Sequence, residues 1–284
     1  MGLMPIKVPW THQPPAGTRL RTDGLARGLI LCLAVNEGGG VPKNLAPTKY
    51  TMQNHTSAPT WGVGEKGHHL DMSAAQAVRT VEDFSPPNDV TVALLMQSDA
   101  AGAVQERFFG YNDDWEGGLN FGAVADEIDW QIYGNLLSDA YGFDAIKSNW
   151  NLISGSVENT GTTAVAKYFN NGQNVAGITD TSLNPPAGGD SPMYVGTSRA
   201  LTDGLDGRIA FFAMWDRILS DGEQAQLGEN PWQVFEPQTR RIPVGLAAAD
   251  PDLAYIDLKF PWTRQPPAGT QLDRSHPLAQ GLVF

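Results

Sequence analysis

At 284 residues, 41% hydrophobic and 18% charged, the chain has enough apolar material for one large β domain with tails, or for two small domains. The net charge of −12 and pI near 4.7 argue against nucleic acid or an anionic membrane as a partner, since both attract basic surfaces. A lone Cys32 excludes an intrachain disulfide framework, and no apolar run approaches the roughly 18 residues of a membrane span.

The opening residues lack a basic stretch followed by an apolar one, so a chain made in a cytoplasm without a cleaved signal is expected. Residues 1–24 read as an extended arm. Pro9, Pro14 and Pro15 stiffen it, and Trp10 is its one large anchor. A domain is expected over residues 25–235, built of short apolar or alternating runs punctuated by turns. Its first run, 28–35, contains Cys32 as a small core residue.

Residues 90–96 predict a strand buried on both faces. Residues 107–111 and 118–122 predict a strand pair joined by an acidic loop, and 128–133 alternates with period two. Further strands are expected over 149–158, 164–170, 193–196 and 209–215. Strands at this spacing, with Asn-Gly and Gly-Gly turns between them, predict an all-β antiparallel sandwich. One short helix is expected. Ser220 and Glu223 form a capping box, the run ends near Leu227, Gly228 serves as its stop and Pro231 lies beyond.

Residues 236–284 read as a linker and a second arm. Residues 260–270 repeat 8–18 almost letter for letter, and after one inserted residue 278–283 repeats 25–30. The repeated piece is too short to bury a core of its own. It is therefore expected to pack on its own domain or on a neighbouring copy, with Trp10, Pro14, Pro15, Trp262, Pro266, Pro267, Leu282 and Phe284 as the anchors of the two arms. Homo-oligomerisation follows as an expectation.

Residues 207–223, GRIAFFAMWDRILSDGE, resemble the closing segment of laminin-G-like, concanavalin A-type jelly rolls, a "G-x-I" strand followed by an "R-x-L-S-x-x-E" helix start. Residues 168–172 resemble that family's "YVNG" hairpin and 193–196 its "L-x-I-G" strand. Residues 28–40 and 61–71 resemble its opening segments, the latter ending in Leu70 and Asp71. The order is that of the family over about residues 25–230. The tail 230–237, with 240–244, and the Pro-Pro-Ala-Gly arms are similar to those of tailed-bacteriophage virion proteins.

The resemblance implies a jelly roll that hosts lectins, glycan hydrolases and structural modules alike. Retaining hydrolases of the superfamily carry Glu-x-Asp-x-x-Glu on one strand face, because the reaction needs two carboxyl groups about 5 Å apart. Asp126-Glu127-Ile128-Asp129 is the nearest match and lacks the closing Glu, with Trp130 and Tyr133 following instead. His68 and His69 are adjacent rather than at zinc-ligand spacing. The loop with Asn112, Asp113, Asp114 and Trp115 combines oxygen ligands suited to Ca²⁺ with a ring that can stack on a sugar; the simpler reading is an acidic hairpin loop. Trp130 and Tyr133, near Asp129 and Asn135, form a second sugar-facing set, although any alternating strand presents one solvated face. Ca²⁺ is the one cofactor these residues suit, and no other is implied.

The expectation is a structural protein of a bacteriophage virion surface, synthesised in the bacterial host cytoplasm. It would be a head decoration or a tail or fibre component with weak adhesion to host-surface glycan. Its partners would be other virion proteins and further copies of itself. A phage glycan depolymerase and a soluble lectin on the same fold are the alternatives.

Overall fold

A computed structural model describes residues 2–8 and 11–244, except 56, 74, 86, 100–105, 112–116, 122–126, 133–134, 141–147, 160–162, 181–190 and 198–203. For 2–8, 117–121, 127–132, 135–140, 178–180 and 239–244 it describes the backbone. The chain divides into two compact units, Lys7–Thr239 and a smaller one of Met1–Ile6 with Arg240–Phe284.

The first strands are β1 (Gly2–Val8), β2 (Leu29–Leu33), β3 (Met52–Asn54), β4 (Thr60–Gly64), β5 (Gly67–Met72) and β6 (Val78–Thr80). Then come β7 (Val90–Ser98), β8 (Glu106–Tyr111), β9 (Gly117–Phe121), β10 (Glu127–Ile132) and β11 (Asn135–Ala140). The last are β12 (Asn151–Asn159), β13 (Ala164–Asn170), β14 (Gln173–Asp180), β15 (Met193–Val195), β16 (Gly207–Trp215) and β17 (Gln238–Val244), with helix α1 (Asp221–Glu229) after β16.

In the smaller unit β1 and β17 pair as a two-stranded sheet. The larger unit is an antiparallel sandwich. One sheet runs β11-β10-β9-β8-β15-β6-β3 and the other β14-β13-β12-β7-β16-β5-β4. Strand β16 also pairs with β2, through Phe212–Trp215, beyond the point where β5 ends.

The expected all-β sandwich is therefore the fold, and the central strands show why their sequences read as unbroken apolar runs. On β7 and β16, Val92, Leu94, Met96, Ile209, Phe212 and Met214 share one cluster with Phe109, Met193 and Val195 of the facing sheet. Their neighbours Ala93, Leu95, Phe211, Ala213 and Trp215 join a second cluster on the opposite face, with Leu227 of α1 and Trp232 of the 3₁₀ turn Pro231–Val234. Both faces of these strands are covered, which removes the polar half of the alternation. A bulge between Ile209 and Phe211 keeps each set on its proper face. Cys32 is fully buried in the second cluster. Burial pushes its thiol strongly up, and the Glu37 charge adds to the shift, so the group is an inert core residue.

The β13–β14 hairpin turns through Asn171 (φ 48°) and Gly172 (φ 78°), the two left-handed residues of a tight primed turn. Helix α1 begins as expected: Ser220 Oγ accepts from the Glu223 amide at 3.3 Å, and Glu223 Oε2 accepts from the Ser220 amide at 2.9 Å. Arg217 clamps the same carboxylate with bonds of 2.9 and 2.7 Å. The stop is not where the sequence put it. Gly228 lies inside the helix, which runs on to Glu229 and is capped by Asn230 before Pro231. A side chain at 228 would overlap the backbone of Asn171 and Gly172, so this glycine serves close packing on the hairpin turn rather than termination.

Candidate functional site

Of the predicted arm residues, Pro14 is buried and Pro15 exposed. Trp10, Trp262, Pro266, Pro267, Leu282 and Phe284 lie outside the described residues, as do Asn112, Asp113, Asp114, Trp115 and Tyr133. Trp130 lies on β10, its backbone opposite Leu137 on one side and Leu119 on the other. Among the described residues, no group of three His, Cys, Asp or Glu side chains could hold a metal ion.

The structure brings together two sets of residues that, Pro14 apart, the sequence did not single out as site residues. The first fixes the N-terminal arm. The side-chain amide of Gln13 donates to the carbonyls of Ala34 (2.8 Å), Val35 (3.1 Å) and His68 (2.9 Å). Its oxygen accepts from the His68 amide at 2.7 Å. Asn36 donates to the Pro14 carbonyl at 2.8 Å. A glutamine amide is a detached peptide group, and here it closes the ladder at the end of β5 as a backbone would. Val35 sits at φ 49°, a conformation that costs a β-branched residue about 1–3 kcal/mol. The left-handed turn falls at one of the carbonyls that Gln13 binds. Gly67 (φ 97°) leaves the space that Gln13 fills. Further along, the arm lies against the chain after α1. The Arg21 amide donates to Val234 at 2.9 Å, the Glu236 amide donates to Arg19 at 2.8 Å, and Leu20 bridges Phe235.

The second set is a polar row across the outer face of the eight-stranded sheet. Register places Gln97 of β7 beside Arg208 of β16, Asp71 of β5 beside Arg208, and Thr60 of β4 beside Asp71. These side chains lie on the face that carries Leu95 and Phe211, beyond the reach of α1. Arg208 uses all three of its nitrogens: Nε reaches Asp71 at 3.2 Å, Nη1 reaches Gln97 at 3.0 Å and Nη2 reaches Asp99 at 3.2 Å. Gln97 in turn donates to the Ser148 carbonyl at 2.5 Å. His69, almost fully buried, lies 3.4 Å from Asp71, and its ring meets Trp150 edge-on at 5.8 Å. Gly62 faces His69 and Asp71 where any side chain would collide with both.

The row is expected to contribute little to stability. Arg208, Asp71 and Asp99 keep 36%, 43% and 45% of their side-chain surface in water, and exposed ion pairs of this kind contribute about 0–1 kcal/mol each. Chemically it offers a planar guanidinium, two carboxylates and an amide, with the half-buried Trp150 at one end, packed against the sealed cluster and edge-on to His69. A guanidinium stands between Asp71 and Asp99 and engages both, which is unlike the open groove between two carboxyls that retaining glycoside hydrolysis requires. Asp71 and Arg208 each lie in a segment that carried the family resemblance, and their pairing could be found only once β5 was placed next to β16.

Residues 71–223 match the Laminin G 3 family model, described as the concanavalin A-like lectin/glucanases superfamily. That is just over half of the chain. The protein belongs to this family. The matched stretch contains Asp71, Gln97, Trp150 and Arg208. No curated protein matches the chain. Among solved structures, the binding domain of Paraclostridial Mosquitocidal Protein 1 is similar at 13% identity and a TM-score of 0.56, covering 72% of this chain and 52% of the other. Domain 4 of AbnA, an extracellular arabinanase of Geobacillus stearothermophilus, solved with arabinotriose, is similar at 11% identity and TM-score 0.52, covering 70% and 98%. The sialidase of Trypanosoma rangeli is similar at 15% identity and TM-score 0.52, covering 81% and 36%. The chain thus spans about half of the mosquitocidal structure and about a third of the sialidase. Identities this low show a shared concanavalin A-like fold.

Proposed function

We propose that this laminin-G-like protein is a non-catalytic surface component of a bacteriophage particle that adheres to host-surface glycan through the row of Asp71, Gln97, Arg208 and Trp150. The observation that carries the reading is the open polar row itself. It is a half-buried, hydrogen-bonding surface on a sheet whose adjoining part is sealed, and at this exposure it should do little for stability. Hydroxyl-rich sugars are bound by such planar donors and acceptors beside an aromatic ring. The arabinanase domain solved with arabinotriose and the toxin binding domain, both on this fold, support a binding role. The particle assignment is supported by the phage-like Pro-Trp tail and by the duplicated arm, one copy of which is keyed onto the sandwich by Gln13. Both arms then serve assembly.

The test is binding of the full chain to immobilised bacterial surface polysaccharides and arabino-oligosaccharides, with Arg208→Ala and Trp150→Ala as companions. Binding that falls at least about tenfold in both variants is expected. Wild-type binding that neither variant changes would remove the row from the function. Release of reducing ends from the same polysaccharides would replace adhesion with hydrolysis. Antibody against the chain should label phage particles, and free protein with bare particles would overturn the virion assignment.

A further inference from the structure

The C-terminal repeat matches the docked arm at the positions that do the docking. Gln265–Thr270 is identical to Gln13–Thr18, so it carries the glutamine that fills the slot, the proline whose carbonyl Asn36 binds, and the glycine and threonine of the following turn. In the arm, Gly17 is left-handed at φ 87° and Thr18 donates its hydroxyl to the Pro15 carbonyl at 2.8 Å. The differences between the copies fall elsewhere. His12, Arg19 and Arg21 become Arg264, Gln271 and Asp273, and all three are exposed in the first copy, with no side-chain bond to the slot. Among the residues whose burial is described, what is kept is the key, and what varies is its solvent side.

We propose that the Gln13 slot of one copy accepts Gln265–Thr270 of a second copy of this chain, so that the protein links head to tail by exchange of equivalent arms. The inference rests on the reading of the arms as assembly segments and names the partner, the slot and the residue that enters it. The carbonyls of Ala34, Val35 and His68 and the His68 amide would meet the same amide group from either source, so exchange replaces one set of bonds by an equal set. The tethered N-terminal arm has the advantage of high effective concentration. Exchange therefore prevails where copies are crowded, or where the N-terminal key is weakened. A head-to-tail link of this kind closes into a ring or extends along a particle.

Sedimentation of the full-length chain over a range of concentrations tests this, with Gln13→Ala, Gln265→Ala and the double variant. Gln13→Ala should associate at a concentration roughly tenfold lower than wild type, and adding Gln265→Ala should abolish that gain. A Gln13→Ala protein that stays at wild-type mass, or that associates equally well without Gln265, overturns the proposal. Should Gln13→Ala fail to fold, a fluorescent peptide of residues 258–272 offered to the wild-type chain replaces it. Binding that is lost when the peptide carries Gln265→Ala supports the slot, and equal binding of the two peptides overturns it. Self-association that survives Gln265→Ala but not Trp262→Ala overturns the slot while leaving the arms as assembly segments. A chain monomeric in every form, with no peptide binding, overturns both.

Discussion

The outer face of the eight-stranded sheet has two halves built on the same strands and finished in opposite ways. Where β7 and β16 carry Ala93, Leu95, Phe211, Ala213 and Trp215, the face is sealed by α1 and the 3₁₀ turn, with Trp232 edge-on to Phe211 at 5.6 Å. Two residues after Leu95 on β7 and three before Phe211 on β16, Gln97 and Arg208 are partly exposed and bind each other. Both halves lie on the same strands, divided on β16 by the bulge between Ile209 and Phe211, and side-chain chemistry separates the covered half from the open one. Apolar side chains gain about 25 cal/mol per Å² by recruiting a cover. A charged row loses by it unless every group is re-paired. The sealed half gives the sandwich its third layer, and the open half keeps its polar side chains partly in water.

The sharpest break of this contrast is Trp215→Ala. Its side chain is fully buried and its ring nitrogen donates to the Leu25 carbonyl at 2.7 Å. Truncation leaves a cavity and an unpaired carbonyl together, and about 3–5 kcal/mol of stability should be lost in denaturant unfolding. A loss below about 1 kcal/mol would mean that the cover contributes little to holding this face. Gly228→Ala comes next and has an informative sign. In an exposed helix the change gains about 1 kcal/mol, whereas collision with Asn171 and Gly172 should reverse this to a net loss of about 1–2 kcal/mol. A more stable variant would show that the helix does not pack tightly on the hairpin turn.

A smaller effect comes from the latch at the start of α1. Hydrogen bonds from Arg217, with the Ser220 backbone amide and hydroxyl, hold the Glu223 carboxyl down from 4.5 to about 2. A carboxyl lowered on folding stabilises the protein above its unfolded value. Stability from Glu223 is thus fully present at neutral pH and is lost as pH falls from about 4.5 towards 2. Glu223→Gln should cost about 1 kcal/mol at pH 7 and flatten that part of the stability profile. An unchanged profile would show that the latch is open in solution.

Much of the fold could be read from the chain because local and global signals agree there. Residues 90–96 and 209–215 are apolar on both faces because both faces are covered, and Ser220 with Glu223 caps the helix that the pattern announces. Gly228 misled because a glycine near a helix end looks alike whether it terminates the helix or admits a neighbour. The candidate site was harder for a different reason. Asp71, Gln97 and Arg208 are separated by up to 137 positions and meet only through strand order, which no short motif records. Gln13 was within reach, since it stands in both copies of the repeat, but the prolines and tryptophans around it are the more conspicuous anchors. The predicted loop of Asn112–Trp115 lies outside the described residues, and nothing in the fold bears on it.

The smallest expected effect on stability is the one that most sharpens the comparison. Arg208→Ala removes a side chain bonded to Asp71, Gln97 and Asp99 in the open half. In a buried network this would leave two stranded carboxylates and cost 3–5 kcal/mol. At the exposure seen here water replaces the guanidinium, and the change in unfolding free energy should stay within about 1 kcal/mol. A loss that small, for a side chain whose hydrogen bonds cross three strands, would mean that Arg208 is not there to hold the sheet together. A loss as large as that of Trp215→Ala would make the row a structural brace instead. The two halves would then differ only in the chemistry by which they hold the sheet.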